Sequence, residues 1–185
     1  MNLIGEHIRY LPASDDPLSA DVYFIEGNNN CYIYDVGNNA DSLDQINRIS
    51  KDKTIILSHY HKDHTGNIDR VDYRNLYVGK KTYETIGKGS IVENVLTIHD
   101  GVKIDIIHCI SPHTDGSLII NIDNTYTLIA DLYFTRPPFE KKKAMEMLQT
   151  LKNIDTKFFV ISHQTDGNVI SKETLLAELS DYFNQ

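Results

Sequence analysis

The apolar run Thr54-Ile55-Ile56-Leu57 leads through Ser58 into His59-Tyr60-His61-Lys62-Asp63-His64, which sets three imidazoles and one carboxylate into six consecutive positions. The short β-branched and aliphatic run reads as a buried strand. The histidines then lie just past its end, before a following helix, where open α/β sheets place their sites. Four donors this close cannot all serve one tetrahedral ion, because neighbouring residues point in different directions. They can divide between two adjacent ions. Imidazole suits zinc and also iron, and a carboxylate can ligate either metal or orient a water.

The same arrangement recurs downstream. The turn-rich segment Ser111-Pro112-His113-Thr114-Asp115-Gly116-Ser117 separates the apolar runs Ile104 to Ile110 and Leu118 to Ile122. Leu128-Ile129-Ala130 runs into Asp131, and Phe158-Phe159-Val160-Ile161-Ser162 runs into His163. Chance does not readily finish several strands independently on a metal-binding residue.

In these motifs the chain resembles the metallo-β-lactamase fold superfamily. Asn30-Cys31-Tyr32-Ile33-Tyr34-Asp35-Val36-Gly37 looks like the family's early strand and Asp-x-Gly turn, and His59 to Gly66 matches its signature loop. His113, Asp131 and His163 fall in the family's order. The resemblance implies a four-layer αββα sandwich of the α/β class, with two mixed β-sheets face to face and helices on the outer faces. It implies that His59, His61 and His113 hold one metal, that Asp63, His64 and His163 hold the other, and that Asp131 bridges them. It further implies hydrolysis by a hydroxide activated between two divalent ions, zinc being expected and iron the alternative, with Asp63 orienting the nucleophile and passing a proton to the leaving group. Aspartate at the bridging position, in place of the cysteine or serine of β-lactamase subclasses, makes the site look like those of glyoxalase II, lactonases and phosphodiesterases. Antibiotic hydrolysis is disfavoured.

The charge balance agrees. With 26 acidic against 18 basic residues the formal charge is −8, which opposes binding to nucleic acid. The run Lys141-Lys142-Lys143 reads as a solvated helix face. At 185 residues, 41% of them hydrophobic, the chain can bury one substantial core, and a single domain over 1–185 is expected. The first nine residues hold no apolar run long enough for a signal peptide, and no membrane span is evident. Cys31 and Cys109 each sit in an apolar stretch, far apart, and read as buried free thiols of a cytoplasmic protein.

Strands are expected near residues 3–11, 21–27, 31–36, 54–58, 76–79, 102–110, 117–122, 125–131 and 157–162. Leu43, Ile46 and Ile49 have helical spacing after a cap at Asp41-Ser42. Ala144, Met147, Leu148 and Leu151 make an apolar helix face after Pro137-Pro138, and Ser171 caps a last helix carrying Leu175, Leu176, Leu179 and Phe183. Asn28-Asn29-Asn30 is a hairpin turn and a candidate for the mouth of the site. Residues 73–97, rich in Tyr, Lys and Gly, are a candidate rim. His7, His99 and His108 stay outside the ligand set, and Tyr60 and Tyr133 are read as packing residues. Asp35 is a candidate to support the ligands from behind.

The leading expectation is a metal-dependent hydrolase of a small ester, thioester or amide. The alternatives are an iron-dependent redox enzyme of the same fold, a phosphodiesterase, and a non-catalytic metal-binding module. The partner is a small-molecule substrate; a homo-oligomer is left open.

Overall fold

A computed structural model describes residues 1–134, 138–164 and 168–184. The chain opens with four short strands, β1 (Asn2–Ile4), β2 (Ile8–Leu11), β3 (Ser14–Asp15) and β4 (Leu18–Ser19). There follow β5 (Val22–Glu26), β6 (Asn30–Tyr34), helix α1 (Ala40–Asn47), β7 (Asp52–Ile56) and the one-turn helix α2 (Lys62–Thr65). Next come β8 (Asn75–Val78), α3 (Lys80–Ile86), β9 (Ser90–Ile91), β10 (Val95–His99), β11 (Lys103–Cys109) and β12 (Ser117–Ile122). The chain continues with β13 (Tyr126–Leu128), a 3₁₀ turn (Ala130–Tyr133), α4 (Lys141–Asn153), β14 (Phe158–Val160), β15 (Val169–Ser171) and α5 (Lys172–Asn184).

Two mixed sheets result, ordered β1-β2-β5-β6-β7-β8-β9 and β10-β11-β12-β13-β14-β15, with β3-β4 as a separate hairpin. Alternation along the strands shows how they stack, because successive side chains point to opposite faces. In β5 and β6, Tyr23, Ile25, Tyr32 and Tyr34 join Ile104, Ile120 and Leu128 of the other sheet in a central core. Their neighbours Phe24, Cys31 and Ile33 turn outward and meet Leu43 and Ile46 of α1. On the far side Ile119 and Phe159 pack against Met147 and Leu151 of α4 and Leu175, Leu179 and Phe183 of α5. The αββα layering is therefore present, and strands buried on both faces explain the continuous apolar runs.

The parallel pairings decide where the site lies. β6 pairs parallel with β7, and β7 with β8. In the second sheet β13 pairs parallel with β14, Leu128 opposite Val160. The chain therefore leaves β6, β7, β13 and β14 at one edge of the sandwich, and every candidate ligand follows one of these strands or β11.

Several expectations about local structure need correction. The stretch 3–11 is a hairpin rather than one strand, since Gly5, with φ 67°, turns the chain between β1 and β2. The stretch 125–131 ends as a strand at Leu128, because Ala130 takes a left-handed φ of 45° and swings Asp131 out of the sheet. The cap of α1 is Asn39, whose side chain accepts from Ser42 N at 2.8 Å; Asp41 and Ser42 lie in the first turn. Strand β10 escapes a hydrophobic reading because it is a half-exposed edge strand. The cap at Ser171 stands, with its Oγ accepting from Thr174 N at 3.1 Å. Pro137 lies outside the described residues.

The Asn28-Asn29-Asn30 turn is at the opposite end of the sandwich from the site, before β6 rather than after it. Between β10 and β11, the Asp100 carboxylate accepts from the backbone and side-chain amides of Asn29 and Asn30 and from the Tyr32 hydroxyl, at 2.7–3.4 Å. Burial pushes this carboxyl up, but the donors from Asn30 and Asn29 outweigh it and hold the pKa at about 2. A folded-state pKa below the unfolded one stabilises above the unfolded value, near 3.8, and that stability is lost as pH falls toward about 2. Asp100→Asn should therefore cost about 1–3 kcal/mol at neutral pH. Urea unfolding should show that the penalty fades in acid, while metal uptake stays as in wild type; a penalty constant with pH would contradict this account.

Candidate metal centre

Seven side chains meet at the edge where the parallel strands end. His59, His61, His113 and Asp131 form one group and Asp63, His64, Asp131 and His163 a second, the candidate donor atoms within each lying within 4.8 Å of one another. Asp131 belongs to both. Its Oδ1 lies 3.3 Å from His64 Nε2 and 3.7 Å from His163 Nε2, while Oδ2 lies 3.6 Å from His113 Nε2. Asp63 Oδ2 is 3.1 Å from His163 Nε2 and 3.4 Å from His64 Nε2. Thus every residue anticipated as a ligand is brought into one cluster.

The fold explains the convergence. Asp131 and His163 each stand three positions beyond the paired ends of β13 and β14, so a parallel register sets them side by side. His59 follows β7 directly, and Leu118 N donates to Ser58 O at 2.8 Å, stitching that loop to the other sheet. His61 and Asp63 flank the start of α2, with the His64 and Thr65 amides closing on His61 O at 3.1 Å.

Hydrogen bonds behind the rings decide which nitrogen faces inward. Asp35, buried and at φ 61°, accepts from Ser58 N at 2.8 Å and Ser58 Oγ at 2.7 Å, and its Oδ2 lies 2.7 Å from His64 Nδ1. A carboxylate only accepts, so Nδ1 of His64 carries a proton and Nε2 turns into the cluster. The Ser58 hydroxyl has committed its hydrogen to Asp35 and so accepts from His59 Nδ1 at 2.9 Å, which leaves His59 Nε2 as a bare lone pair. His113 Nδ1 donates to Phe134 O at 3.2 Å, again turning Nε2 inward. The Asp-x-Gly turn is sterically exacting: a Cβ on Gly37, at φ 64°, would stand 2.6 Å from Ser42 Oγ and 2.7 Å from Ser19 Oγ.

These inward atoms lack partners. His64 Nε2, His113 Nε2 and Asp131 Oδ1 are buried with no hydrogen bond, although buried polar atoms are ordinarily satisfied. His59 Nε2 faces His61 Nδ1 at 2.9 Å. Burial, then the neighbouring His64 and His61, push His59 far below its usual pKa, so its ring is neutral. Imidazole nitrogens and carboxylate oxygens converging in this way are the donor set of a divalent cation, and the residues fit two such ions sharing Asp131.

The cluster floors a cavity of about 660 Å³. Asp15 and Leu18 of the β3-β4 hairpin line it together with Pro112 and Phe134. The segment 73–97 contributes nothing to this lining; it forms β8, α3, β9 and most of β10, so its reading as a rim is overturned. Tyr133 turns away to Glu178 Oε2 at 3.0 Å, and Tyr60 packs edge-on against His61, with ring centroids 4.9 Å apart. His108 lines a separate hollow. Cys31 and Cys109 are buried free thiols, pushed up by burial to about 12. Among the described residues no helix is long and apolar enough to cross a membrane. Two contributors escaped the sequence reading: Ser58, whose polar side chain between an apolar run and His59 was the available signal, and Asp21, discussed below.

The αββα sandwich with a shared His/Asp cluster at its parallel-strand edge is similar to known proteins of one superfamily. Residues 15–79 match the sequence model of the metallo-beta-lactamase superfamily. A metallo-beta-lactamase from Pontibacter korlensis superposes with a TM-score of 0.72 at 14% identity, covering 100% of this chain and 98% of that one. An archaeal metallo-beta-lactamase superfamily protein from Sulfolobus tokodaii gives 0.67 at 16% identity, covering 95% and 86%. A mutant flavo di-iron protein from Thermotoga maritima gives 0.70 at 13% identity, covering 95% of this chain and 62% of that one. No curated protein matched. The chain has the fold of these metallo-beta-lactamase superfamily proteins, and its residues 15–79 carry that superfamily's sequence pattern.

Proposed function

We propose that the chain is a hydrolase dependent on two divalent metal ions, acting on a small ester, thioester or amide. The observation that carries this reading is the pair of donor groups sharing Asp131, with unpartnered Nε2 and carboxylate atoms facing inward. His59, His61 and His113 would hold one ion, Asp63, His64 and His163 the other, and Asp131 would bridge them. When bound, such a pair supplies Lewis acidity, bringing the pKa of a water near neutrality and polarising the oxygen of a carbonyl.

The chain's own residues do the rest. Asp35 and Ser58 hold the His64 and His59 rings, and Phe134 O holds His113. Asp63 opens on the cavity, and its pKa is lowered: burial raises it, but His163 and His64 outweigh burial. It is therefore ionised near neutrality, able to orient a nucleophile and to carry its proton to a leaving group.

Elemental analysis of protein purified without added metal, paired with a panel of chromogenic esters, thioesters, lactones, phosphodiesters and β-lactams, tests the proposal. Two zinc ions per chain and turnover that a chelator removes are expected. Asp63→Asn should lower kcat about 10²-fold or more, the range of one acid–base group. Undiminished turnover in Asp63→Asn would remove that role. The likeness to a flavo di-iron protein supports a second reading, iron-dependent redox chemistry, for which iron and a visible absorption band in the same sample would decide.

A further inference from the structure

A short segment with no candidate ligand touches two members of the second donor group, Asp63 and His163. Asp21, directly before β5, is 1% exposed. Its Oδ2 accepts from His163 N at 2.8 Å and Ser162 Oγ at 2.9 Å, and its Oδ1 from Ala13 N and Asn168 Nδ2, both at 3.2 Å. All four partners are donors, a set that an acceptor-only carboxylate satisfies on both oxygens.

The preceding residue completes the clamp, since Ala20 N donates to Asp63 O at 3.0 Å. Asp63 and His163 are 100 positions apart, yet both belong to the second donor group. His163 adopts φ 57°, a left-handed conformation that is unfavourable for a non-glycine residue. The bond from its amide to Asp21 helps hold it there. Ala13, on the other oxygen, leads into the hairpin whose Asp15 and Leu18 line the cavity. None of these four partners belongs to the first group of His59, His61 and His113.

We propose that Asp21 is a positioning residue for the second half of the site, fixing His163 and tying it to the hairpin at the mouth. This rests on the two-ion reading above. Metal occupancy of the second half and the placement of the hairpin are then one property, set through a single buried carboxylate, while the first half is independent of it.

Zinc titrated into metal-free protein against a chromophoric chelator tests the assignment on wild type, Asp21→Asn and Ser162→Ala, with circular dichroism reporting the fold. Asparagine keeps one acceptor and turns an NH2 group toward two donors. Asp21→Asn should therefore bind the second ion about 10–100-fold more weakly, the usual effect of losing a group behind a ligand, and the first ion as before. Ser162→Ala leaves the His163 bond in place and should keep both affinities. A folded Asp21→Asn with both affinities unchanged, or with both equally reduced, overturns the proposal. Failure of wild type to take up zinc overturns the metal centre and this inference with it. Should Asp21→Asn not fold, amide exchange in metal-free wild type decides. The Ala13 and His163 amides are expected to be protected and to open together, and a fast His163 amide beside a slow Ala13 amide overturns the coupling.

Discussion

Asp131→Asn is expected to empty the site of its second ion and to lower hydrolysis by on the order of 10⁴-fold, at or beyond the upper end for a single acid–base group. The reason is geometric. Among the described residues Asp131 alone belongs to both donor groups, with Oδ1 facing His64 and His163 and Oδ2 facing His113. Asparagine has the same shape but one acceptor, and its NH2 group would point a donor at a metal position. The charge matters as well. Burial raises the Asp131 pKa, but His64, His163 and His113 outweigh it, so the residue is an anion among imidazoles. A neutral substitute leaves two dications with no shared counter-charge. Elemental analysis should fall from two ions per chain to one or fewer. Retention of two ions with near-normal turnover would show that Asp131 does not bridge.

Asp35→Asn has the largest expected effect on stability, about 3–5 kcal/mol in the metal-free protein, the cost of leaving a buried charge without its partner. His64 is wholly buried, and burial lowers its pKa. The Asp35 and Asp131 carboxylates more than reverse this and raise it to about 10. Asparagine tolerates the positive φ of Asp35, so the substitution tests the charge rather than the backbone. A histidine whose folded pKa lies above its unfolded value, 6.5, contributes stability that is complete below that value and is lost as pH rises toward about 10. The penalty of Asp35→Asn should accordingly be largest near pH 6 and should shrink by about pH 9, where the unfolded chain's histidine is neutral and folding must take up a proton. Urea unfolding of chelator-treated wild type and variant at the two pH values measures this directly. A pH-independent difference would mean that the bonds from Asp35 to Ser58 N and Oγ, rather than its charge, carry the effect.

The sequence alone determined which chemistry the chain could hold and roughly where. Ligand types and order are local facts: His59 to His64 follow an apolar run, and Asp131 and His163 each come shortly after one. A run of residues buried on both faces is visible without coordinates because successive positions are apolar, as in Ile55-Ile56-Leu57 and Leu118-Ile119-Ile120. The helix faces of α4 and α5 were legible for a similar reason, their 3.6-residue period being written in Met147, Leu151, Leu175 and Leu179. Edge strands such as β10, β9 and β15 were not, since an edge strand need bury only part of its surface.

Only the tertiary structure decided which residues stand behind the ligands and what surrounds them. Asp21 reaches His163 across 142 positions, and Asp100 reaches the Asn28-Asn29-Asn30 turn across about 70. Such carboxylates look in the sequence like any surface aspartate. Their burial follows from how the two sheets stack, and one-dimensional pattern does not encode contacts between segments that the strand order brings together. The same reason placed the β3-β4 hairpin, not residues 73–97, in the lining of the cavity. A ligand is announced by its chemistry and its neighbours in sequence, whereas the residue that aims it is chosen by the register of strands that pair only in the folded chain.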